Sequence, residues 1–530
     1  MWVTGGCVTR LLKACGRGLQ QWAIAASITL ALTACSGDPV GHPEAAVWYV
    51  QSAAPDSVSE NGSRRAPFRS LSAVEAVSRP GDEIRVLVAA SGASPLDGGI
   101  VLQAGQRLRG VASADRWPMI TNTDGSRRGG DAVTLADGVV VTGIVIRSAA
   151  GHAILGRNVQ GAVVRGNRIE GGNVAGLTSV TTGATAGLGV PEFPKAVVAF
   201  LHDEPSAGDG VGANTFAENS VTGLRSADGA LIRLGGAGIA LHAHGESRAV
   251  LTLSANSVGD LGPGFPRSGV LVDTQGSATA TLEMTEVSVA NAFESSDGIL
   301  IVAQHQSSIT ATIRRYRYVG DTPGQGVGNN GLEVVTYHGG NWLQAGVRAP
   351  EQHAATSRVI LEDSDIAGSG GFGVAVWNIF GKPSPGTILD FGGGELGGGG
   401  RNRIYGSGLE LPSSMDLYVV HADVNVANNW WGSDRSGNPK VVPGSDGQWQ
   451  LGAAYAFACP GGPGQMQALI DGTGVAVWPM FCQAFSEDVC RTDEPDAACC
   501  DPIVDAARCL VPPPPSSVVS EPALVTDPRP

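Results

Sequence analysis

A short glycine-led strand pattern recurs through the middle of the chain and constrains its fold more than any other feature. Each copy is a glycine followed by alternating apolar residues: GIAL from Gly238, GVLV from Gly269, GILI from Gly298, GLEV from Gly331 and GVAV from Gly373. A second strand pattern recurs in phase with it, and its members Leu251, Leu282 and Ile313 follow one another at intervals of 31 residues. Because a solenoid adds one strand of each type with every coil, two patterns that advance together indicate stacked coils.

The composition and the spacing between the strands narrow the fold class. No helix-length amphipathic segment separates the strands, which excludes folds of alternating strands and helices. Glycine accounts for 76 of 530 residues and aromatic residues for 5%, which suits short strands joined by tight turns. A β-sandwich is the alternative fold class, but its hairpins would not keep the spacing between the two strand patterns nearly constant over several repeats. We therefore expect an all-β chain that forms a right-handed parallel β-helix.

A helix is predicted ahead of the repeats. Phe68, Leu71, Val74 and Val77 recur at helical spacing after Pro67. An amphipathic helix at this point can cover the open end of a solenoid, which would otherwise expose its core and unpaired backbone groups. We expect it to form an N-terminal helical cap.

Several segments carry a resemblance to a known family. Trp48-Tyr49-Val50, residues 67–77 and Pro80-Gly81-Asp82 with the strand after it resemble the N-terminal cap of bacterial right-handed β-helix proteins of the pectin-lyase-like kind. Residues 387–397, 402–405 and 424–432 resemble a closing segment of such proteins, and we expect NNWWG to form the last coil and its apolar cap. Proteins with this fold include pectate lyases, polygalacturonases, alginate-modifying enzymes and passive surface proteins, so the resemblance implies the fold and leaves the activity open.

The N-terminus has the features of an export signal. Arg10, Lys13 and Arg17 precede a short apolar run over residues 22–32, which is too short to span a membrane comfortably. The run ends in Leu-Thr-Ala-Cys35, which resembles the bacterial lipobox, and this resemblance implies that Cys35 becomes the lipidated first residue of the mature protein. We expect a protein of the bacterial cell envelope, anchored by lipid at the outer membrane and facing the periplasm or the cell exterior.

The remaining cysteines mark a separate C-terminal module. They are Cys459, Cys482, Cys490, Cys499, Cys500 and Cys509. In an exported protein six cysteines predict up to three disulfides with 15 possible pairings, whereas zinc is less favoured because no CxxC pair and no nearby histidine accompany them. The predicted organisation is a signal peptide (1–34), a linker (35–46), the β-helix (47–455), the Cys-rich module (456–510) and a Pro-rich disordered tail (511–530). Inside the β-helix, residues 173–215 are predicted to form a long loop and residues 380–386 a second interruption.

Net charge and motif content exclude several partners. The formal charge of −14 argues against nucleic acid and against an anionic membrane face. The glycine-rich stretch 392–400 lacks the Gly-Lys-Ser/Thr of a phosphate loop, so we expect no nucleotide.

A candidate binding groove follows from the phase of the glycine-led strands. The first and third residues after each glycine are apolar and are predicted to face the core, so the second, fourth and sixth are predicted to face outward. Stacked coils would place hydrogen-bonding and aromatic side chains in outward columns that suit an extended neutral polysaccharide. The candidate glycan-binding residues are His242, His244, Asp273, Gln275, Gln304, Glu333, Tyr337 and Trp377. The competing interpretation is that exposed columns are polar simply because they are exposed.

Catalysis is the second hypothesis. Asp297 lies in a segment that resembles one polygalacturonase signature, but the paired aspartates and the other elements of that set are missing. A lyase would need carboxylates that hold calcium and a basic residue that abstracts a proton, for which Asp273, Asp297 and Arg315 are the candidates. Because no complete signature is present, we expect a non-catalytic polysaccharide-binding or scaffold protein, with a polysaccharide lyase or glycoside hydrolase as the alternative and a structural rod as the third possibility.

The pair His242 and His244 also raises the question of a metal. Two histidines at i and i+2 of a strand share a face, and Asp273 is predicted one coil away, which together would make a two-histidine, one-carboxylate site. Two histidines on a solvated strand are commoner than a metal site, so the sequence predicts no metal and no cofactor, apart from calcium in the lyase case.

Overall fold

The computed structural model describes most of the region between residues 45 and 451. The described ranges are 45–52, 59–89, 93–113, 116–172, 196–203, 212–225, 231–232, 236–261, 268–290, 296–322, 326–327, 329–337, 355–379, 387–407, 416–420, 423–426, 428–430, 441–443, 449–451 and 517–519. The predicted signal peptide, Cys35, the six C-terminal cysteines and residues 380–386 lie outside these ranges.

Three long parallel sheets make up the described structure. Sheet A contains 13 described strands: β1 (Val47–Val50), β2 (Glu83–Leu87), β4 (Arg107–Val111), β7 (Val140–Thr142), β10 (Val163–Arg165), β13 (Gly212–Ala217), β18 (Arg248–Ser254), β21 (Thr279–Thr285), β24 (Ser308–Arg314), β29 (Thr356–Glu362), β32 (Ile388–Asp390), β35 (Asp423–Asn425) and β38 (Ser517–Val519). Sheet B contains 10 described strands: β3 (Ile100–Val101), β6 (Val133–Thr134), β9 (Ile154–Arg157), β12 (Ala196–His202), β17 (Ala237–Ala243), β20 (Ser268–Thr274), β23 (Asp297–Ala303), β28 (Leu332–Tyr337), β31 (Val374–Ile379) and β34 (Leu417–Val420). Sheet C contains 9 described strands: β5 (Met119–Ile120), β8 (Val145–Ala149), β11 (Arg168–Gly172), β14 (Ser220–Thr222), β19 (Ser257–Gly259), β22 (Ser288–Ala290), β25 (Arg317–Val319), β30 (Asp365–Ala367) and β33 (Arg403–Tyr405).

The remaining described elements are short. Three antiparallel pairs join β15 (Leu224–Arg225) to β16 (Leu231–Ile232), β26 (Asp321–Thr322) to β27 (Gly326–Val327), and β36 (Val441–Pro443) to β37 (Trp449–Leu451). A 3-10 turn covers Arg128–Gly130, and helix α1 covers Leu71–Val77. Within the described residues, no helix has the length and apolar content needed to cross a bilayer.

The chain visits the three sheets in turn, so each round forms one coil of a parallel β-helix. The glycine-led strands stack directly in sheet B, where Ile239 pairs with Val270, Val270 with Ile299, and Ile299 with Leu332, all in parallel. The second pattern stacks in sheet A, where Leu251 pairs with Leu282 in parallel. Both predicted repeats are therefore confirmed as consecutive coils of one solenoid.

Packing between sheets B and C explains why each sheet B strand of the repeat region has a glycine as its second residue or directly before it. A Cβ atom on Gly269 would lie 2.7 Å from both the carbonyl oxygen of Gly298 in the next coil and a methyl of Val289 from sheet C. A Cβ on Gly298 would lie 2.0 Å from Oη of Tyr316 and 2.4 Å from the carbonyl oxygen of Gly331. The glycines form a stack with no room for a side chain, which is the physical cause of the repeat signal.

The turns between sheets A and C use one left-handed residue followed by a buried polar stack. Glu218 and Ala255, for example, have φ of 56° and 51°. After them, the buried side chains of Asn219 and Asn256 accept hydrogen bonds from backbone N–H groups of the preceding coil, at 2.9 Å from Asn167 and 3.0 Å from Asn219. Such ladders satisfy turn amides that the sheets leave without a partner.

The N-terminal segments differ slightly from expectation. Helix α1 begins at Leu71, because the Ser70 side chain caps it by accepting from the Ala73 N–H at 3.2 Å. Leu71 and Val74 are buried, whereas Val77 is 41% exposed and does not belong to the apolar face. That α1 covers the end of the solenoid stays a prediction.

Strands are present in two segments that the sequence predicted to lack them, the loop 173–215 and the Pro-rich tail. The ladder resumes at Ala196, because β12 pairs with β9 and β17, so the predicted loop 173–215 is wrong from that point on. Within the predicted Pro-rich tail, β38 pairs in parallel with β35. At the C-terminal end of the coils, Trp430 of the NNWWG segment forms a parallel bridge with Arg403.

Candidate functional site

The predicted inward positions of sheet B are confirmed, but the predicted exposed columns are not. Ile239, Leu241 and Val270 are fully buried, as expected of core residues. All seven residues of β17 and all seven of β20 are buried as well, including His242 at 0% and Asp273 at 3% exposure. On these two strands the predicted outward residues are therefore enclosed and not exposed to solvent, since both faces of the sheet are covered here.

Burial brings three of the predicted residues together as a His–Asp cluster, which we define as His242, His244 and Asp273. His242 on β17 and Asp273 on β20 are direct partners in neighbouring coils. Nδ1 of His242 lies 3.4 Å from Oδ2 of Asp273, and Nε2 of His244 lies 3.0 Å from the same oxygen. The two imidazole rings are edge-to-face, with centroids 6.1 Å apart. Two histidines of one coil thus converge on one carboxylate of the next.

The cluster favours an ionised Asp273 and a neutral His242. Burial by itself raises the pKa of Asp273, but hydrogen bonds from His242 and His244 outweigh it and hold the net pKa well below its usual value. Burial lowers the pKa of His242, and the nearby Asp273 opposes this shift only in part. A carboxylate and a neutral imidazole are also the protonation states in which these groups bind metal ions.

Of the other candidate glycan-binding residues, two contact the His–Asp cluster and three lie on strands further along the sheet. Gln275 and Gln304 donate from Nε2 to Asp273, at 3.4 Å to Oδ2 and 3.2 Å to Oδ1. Glu333, three coils from His242, accepts from Nδ2 of Asn330 at 2.9 Å. Tyr337 and Trp377 lie on paired strands β28 and β31, where the backbone of Trp377 is opposite Val335.

The predicted catalytic residues do not converge. Asp273 is near the end of β20 and Asp297 at the start of β23, five register positions apart, which corresponds to about 16 Å along the sheet. Arg315 lies at the turn between sheets A and C, where its Nε contacts Oε1 of Glu286 at 2.9 Å. Asp273, Asp297 and Arg315 are therefore too far apart to act together as an acid and a base on one substrate.

Asp297 instead forms a carboxyl pair that the sequence did not indicate. Its Oδ1 accepts from the backbone N–H of Asn330 and from Nδ2 of Asn329, each at 3.1 Å. Burial raises the pKa of Asp297 well above its usual value, and the neighbouring carboxyl group of Glu333 raises it further. The contact depends on how coils stack, and no spacing in the sequence marks it.

Sheet A presents an array that sequence reasoning also missed. We define the hydroxyl face as the outward residues of β18, β21, β24 and β29, which stand in four in-register columns. Nine of these sixteen positions carry a hydroxyl group: Thr252, Ser254, Thr279, Thr281, Thr285, Ser308, Thr310, Thr312 and Thr356. Thr312 is buried at 9% exposure, and the other eight are partly or fully exposed. The alternation of Thr and Ser with apolar residues in TATLEMT and SITATI could have revealed it.

Comparisons with known proteins show a weak structural likeness to a solved structure. No family model matches the chain, and no curated protein matches it. Among solved structures, the chain is similar to PfbA, a surface adhesin of Streptococcus pneumoniae, with 9% sequence identity and a TM-score of 0.27. The match covers 72% of this chain and 92% of that chain. A similarity at this level does not indicate a shared function.

Proposed function

We propose that this protein is a lipid-anchored β-helix of the bacterial cell envelope that binds a polysaccharide on the hydroxyl face without catalysing a reaction on it. The observation that carries the proposal is the in-register array of hydroxyl groups, most of them partly exposed, on four consecutive coils of sheet A. The buried columns of sheet B take no part in it.

The chemistry of the face suits an extended, near-neutral glycan. Hydroxyl groups both donate and accept hydrogen bonds, as sugar hydroxyls do. Parallel strands repeat about every 4.8 Å, so a polymer laid along the solenoid would meet the hydroxyl groups of Thr279, Ser308 and Thr356 on three successive coils. The charged residues of the face are mixed in sign, since Arg248, Arg314 and Arg358 stand beside Glu283 and Glu362. Arg314 and Glu362 neutralise each other in an ion pair.

The binding proposal is tested with a glycan array and the purified full chain. The double variant Thr281→Val and Thr310→Val removes two hydroxyls in adjacent coils and keeps the β-branched shape. At about 1 kcal/mol per hydrogen bond, it should weaken binding roughly tenfold or more. Thr222→Val, on sheet C, is the matched control and should bind as the wild type does. Absence of any glycan ligand, or equal binding by the double variant, would contradict the proposal.

Lipid anchoring is tested separately. Cys35→Ser should abolish incorporation of a labelled fatty acid and release the protein from the membrane fraction, because the predicted anchor is the acyl group alone. Retention of the label in this variant would exclude Cys35 as the lipidation site.

The alternative function, a polysaccharide lyase or glycoside hydrolase, is favoured by one observation. A buried carboxyl group beside the partly exposed Glu333 is the environment that keeps a carboxylic acid protonated for proton donation. Incubation of the full chain with uronate polymers would reveal unsaturated products or new reducing ends. Activity lost in both Asp297→Asn and Glu333→Gln would establish the enzyme and replace the binding proposal.

A further inference from the structure

We propose that the His–Asp cluster binds a divalent transition-metal ion, which joins two neighbouring coils of the β-helix. This inference reverses the expectation from the sequence, which assumed that His242 and His244 lie on a solvated strand. It concerns sheet B and is independent of the hydroxyl face.

The first argument is the distance between donor atoms. One ligand atom from each of His242, His244 and Asp273 lies within 4.8 Å of the other two. Nδ1 of His242 lies 3.4 Å and Nε2 of His244 lies 3.0 Å from Oδ2 of Asp273. Ligands bonded to a tetrahedral ion at about 2.0–2.2 Å lie about 3.4 Å from each other, so small side-chain rotations would suffice.

The second argument is the chemical nature of the donors. Two imidazoles and one carboxylate are the set that zinc and other first-row divalent ions prefer. Calcium and magnesium prefer oxygen ligands alone, so they fit this cluster poorly.

The third argument is burial. The side chains of His242, His244 and Asp273 are 0%, 8% and 4% exposed. A buried carboxylate is costly unless opposite charge or several hydrogen bonds compensate it, and a divalent cation supplies that charge. Scattered histidines on a solvated surface lack this enclosure.

The fourth argument is the surrounding amide groups. Gln304 holds Oδ1 of Asp273 with its Nε2, which leaves Oδ2 directed at the two histidines. Its own Oε1 is buried and accepts no hydrogen bond from the described residues. Because the same amide group contacts Asp273, this unpaired oxygen would suit a water molecule bound to the ion as a hydrogen-bond acceptor. Partners that orient ligands in this way are typical of metal sites.

The test measures the metal content of the purified full chain grown with added zinc. We expect about one zinc ion per chain in the wild type. His242→Asn and His244→Gln place an amide near the position of each coordinating nitrogen, so they preserve the hydrogen bonds to Asp273 and remove an imidazole ligand. Both variants should lose the bound zinc. His305→Gln removes a half-buried turn histidine outside the cluster and should keep it.

Cobalt substitution tests the donor atoms without relying on any variant. Bound Co²⁺ should give visible absorption bands without the thiolate charge-transfer band that the C-terminal cysteines would produce. Chelation should lower the melting temperature of the wild type and leave that of the two cluster variants unchanged. Zinc-free wild-type protein, unchanged zinc in the variants, or a thiolate band for all bound cobalt would each overturn the proposal and leave a hydrogen-bonded His–Asp–His network.

Discussion

Asn167 and Asn219, in consecutive coils, are joined by two hydrogen bonds: the backbone N–H and the side-chain Nδ2 of Asn167 both donate to Oδ1 of Asn219, at 2.9 and 3.0 Å. The Nδ2 of Asn219 donates in turn to the carbonyl oxygen of Val164 at 3.0 Å. One buried side chain therefore satisfies groups from two sides of a turn.

The first prediction concerns this side chain. Asn219→Ala leaves the Asn167 N–H and the Val164 carbonyl buried without these partners, at about 1–3 kcal/mol for each group. We expect the free energy of unfolding to fall by about 2–4 kcal/mol in denaturant titration. Asn61→Ala removes one exposed hydrogen bond and should change the free energy by less than about 0.5 kcal/mol. Similar losses in the two variants would mean that the ladder does not stabilise the coils.

The second prediction concerns the glycine stack. Gly298→Ala would press its methyl group against Oη of Tyr316 and the Gly331 carbonyl, at 2.0 and 2.4 Å, and should destabilise the protein by about 2 kcal/mol or more. Gly259→Ala, also in a strand, meets its nearest atom at 3.4 Å and should be tolerated. Thermal unfolding distinguishes them, and equal melting temperatures would show that the stack can open without cost.

The third prediction contrasts two buried tyrosines, Tyr316 directly before β25 and Tyr318 within it. Tyr316 donates from its hydroxyl to the Gly331 carbonyl at 2.9 Å, so Tyr316→Phe should cost about 1 kcal/mol. The Tyr318 hydroxyl is buried and has no hydrogen-bond partner among the described residues, so Tyr318→Phe should be neutral or stabilise by about 1 kcal/mol. The measurement is the free energy of unfolding of each variant, and a larger loss for Tyr318→Phe would refute the assignment of partners.

The fourth prediction is a pH dependence that arises from Asp297. Because burial and Glu333 raise its pKa in the folded protein, the folded state binds this proton more tightly than the unfolded chain does. The stabilisation is present in full below the unfolded pKa, near 4, and is lost as the pH rises towards the folded pKa, at up to about 1.4 kcal/mol per pH unit.

Asp297→Asn removes the charge and keeps an oxygen acceptor. The variant should therefore gain stability relative to the wild type as the pH rises from 4. Glu218→Gln is a control of opposite sign, because a hydrogen bond from Arg165 lowers the pKa of Glu218. A stability difference between Asp297→Asn and wild type that stays flat with pH would show that Asp297 is ionised in the folded state.

The sequence was sufficient to predict the coils, because every coil places the same requirements on its strands and so leaves a periodic pattern in the chain. Each strand alternates apolar residues with period two, and each glycine at the start of a sheet B strand is required by the coil next to it. Residues such as Ile239 and Val270 could therefore be assigned to the core, and their strands to one stack, from spacing alone.

The spacing of residues could not predict whether the second face of sheet B, away from the core, is exposed to solvent. Alternation assigns His242 and Asp273 to the face away from the core, but it does not report whether that face meets water. A hint was present, since Ala240, Leu271 and Leu300 on the same face are apolar and prove to be buried.

What the sequence alone determined is the parallel β-helix, because the same glycine and apolar positions recur in every coil and leave a periodic pattern in the chain. What only the tertiary structure decided is the environment of the polar columns: the enclosed His–Asp cluster, the Asp297–Glu333 pair and the open hydroxyl face. These depend on burial and on contacts between coils about 30 residues apart, and such contacts set solvation and pKa without leaving a periodic trace in the chain.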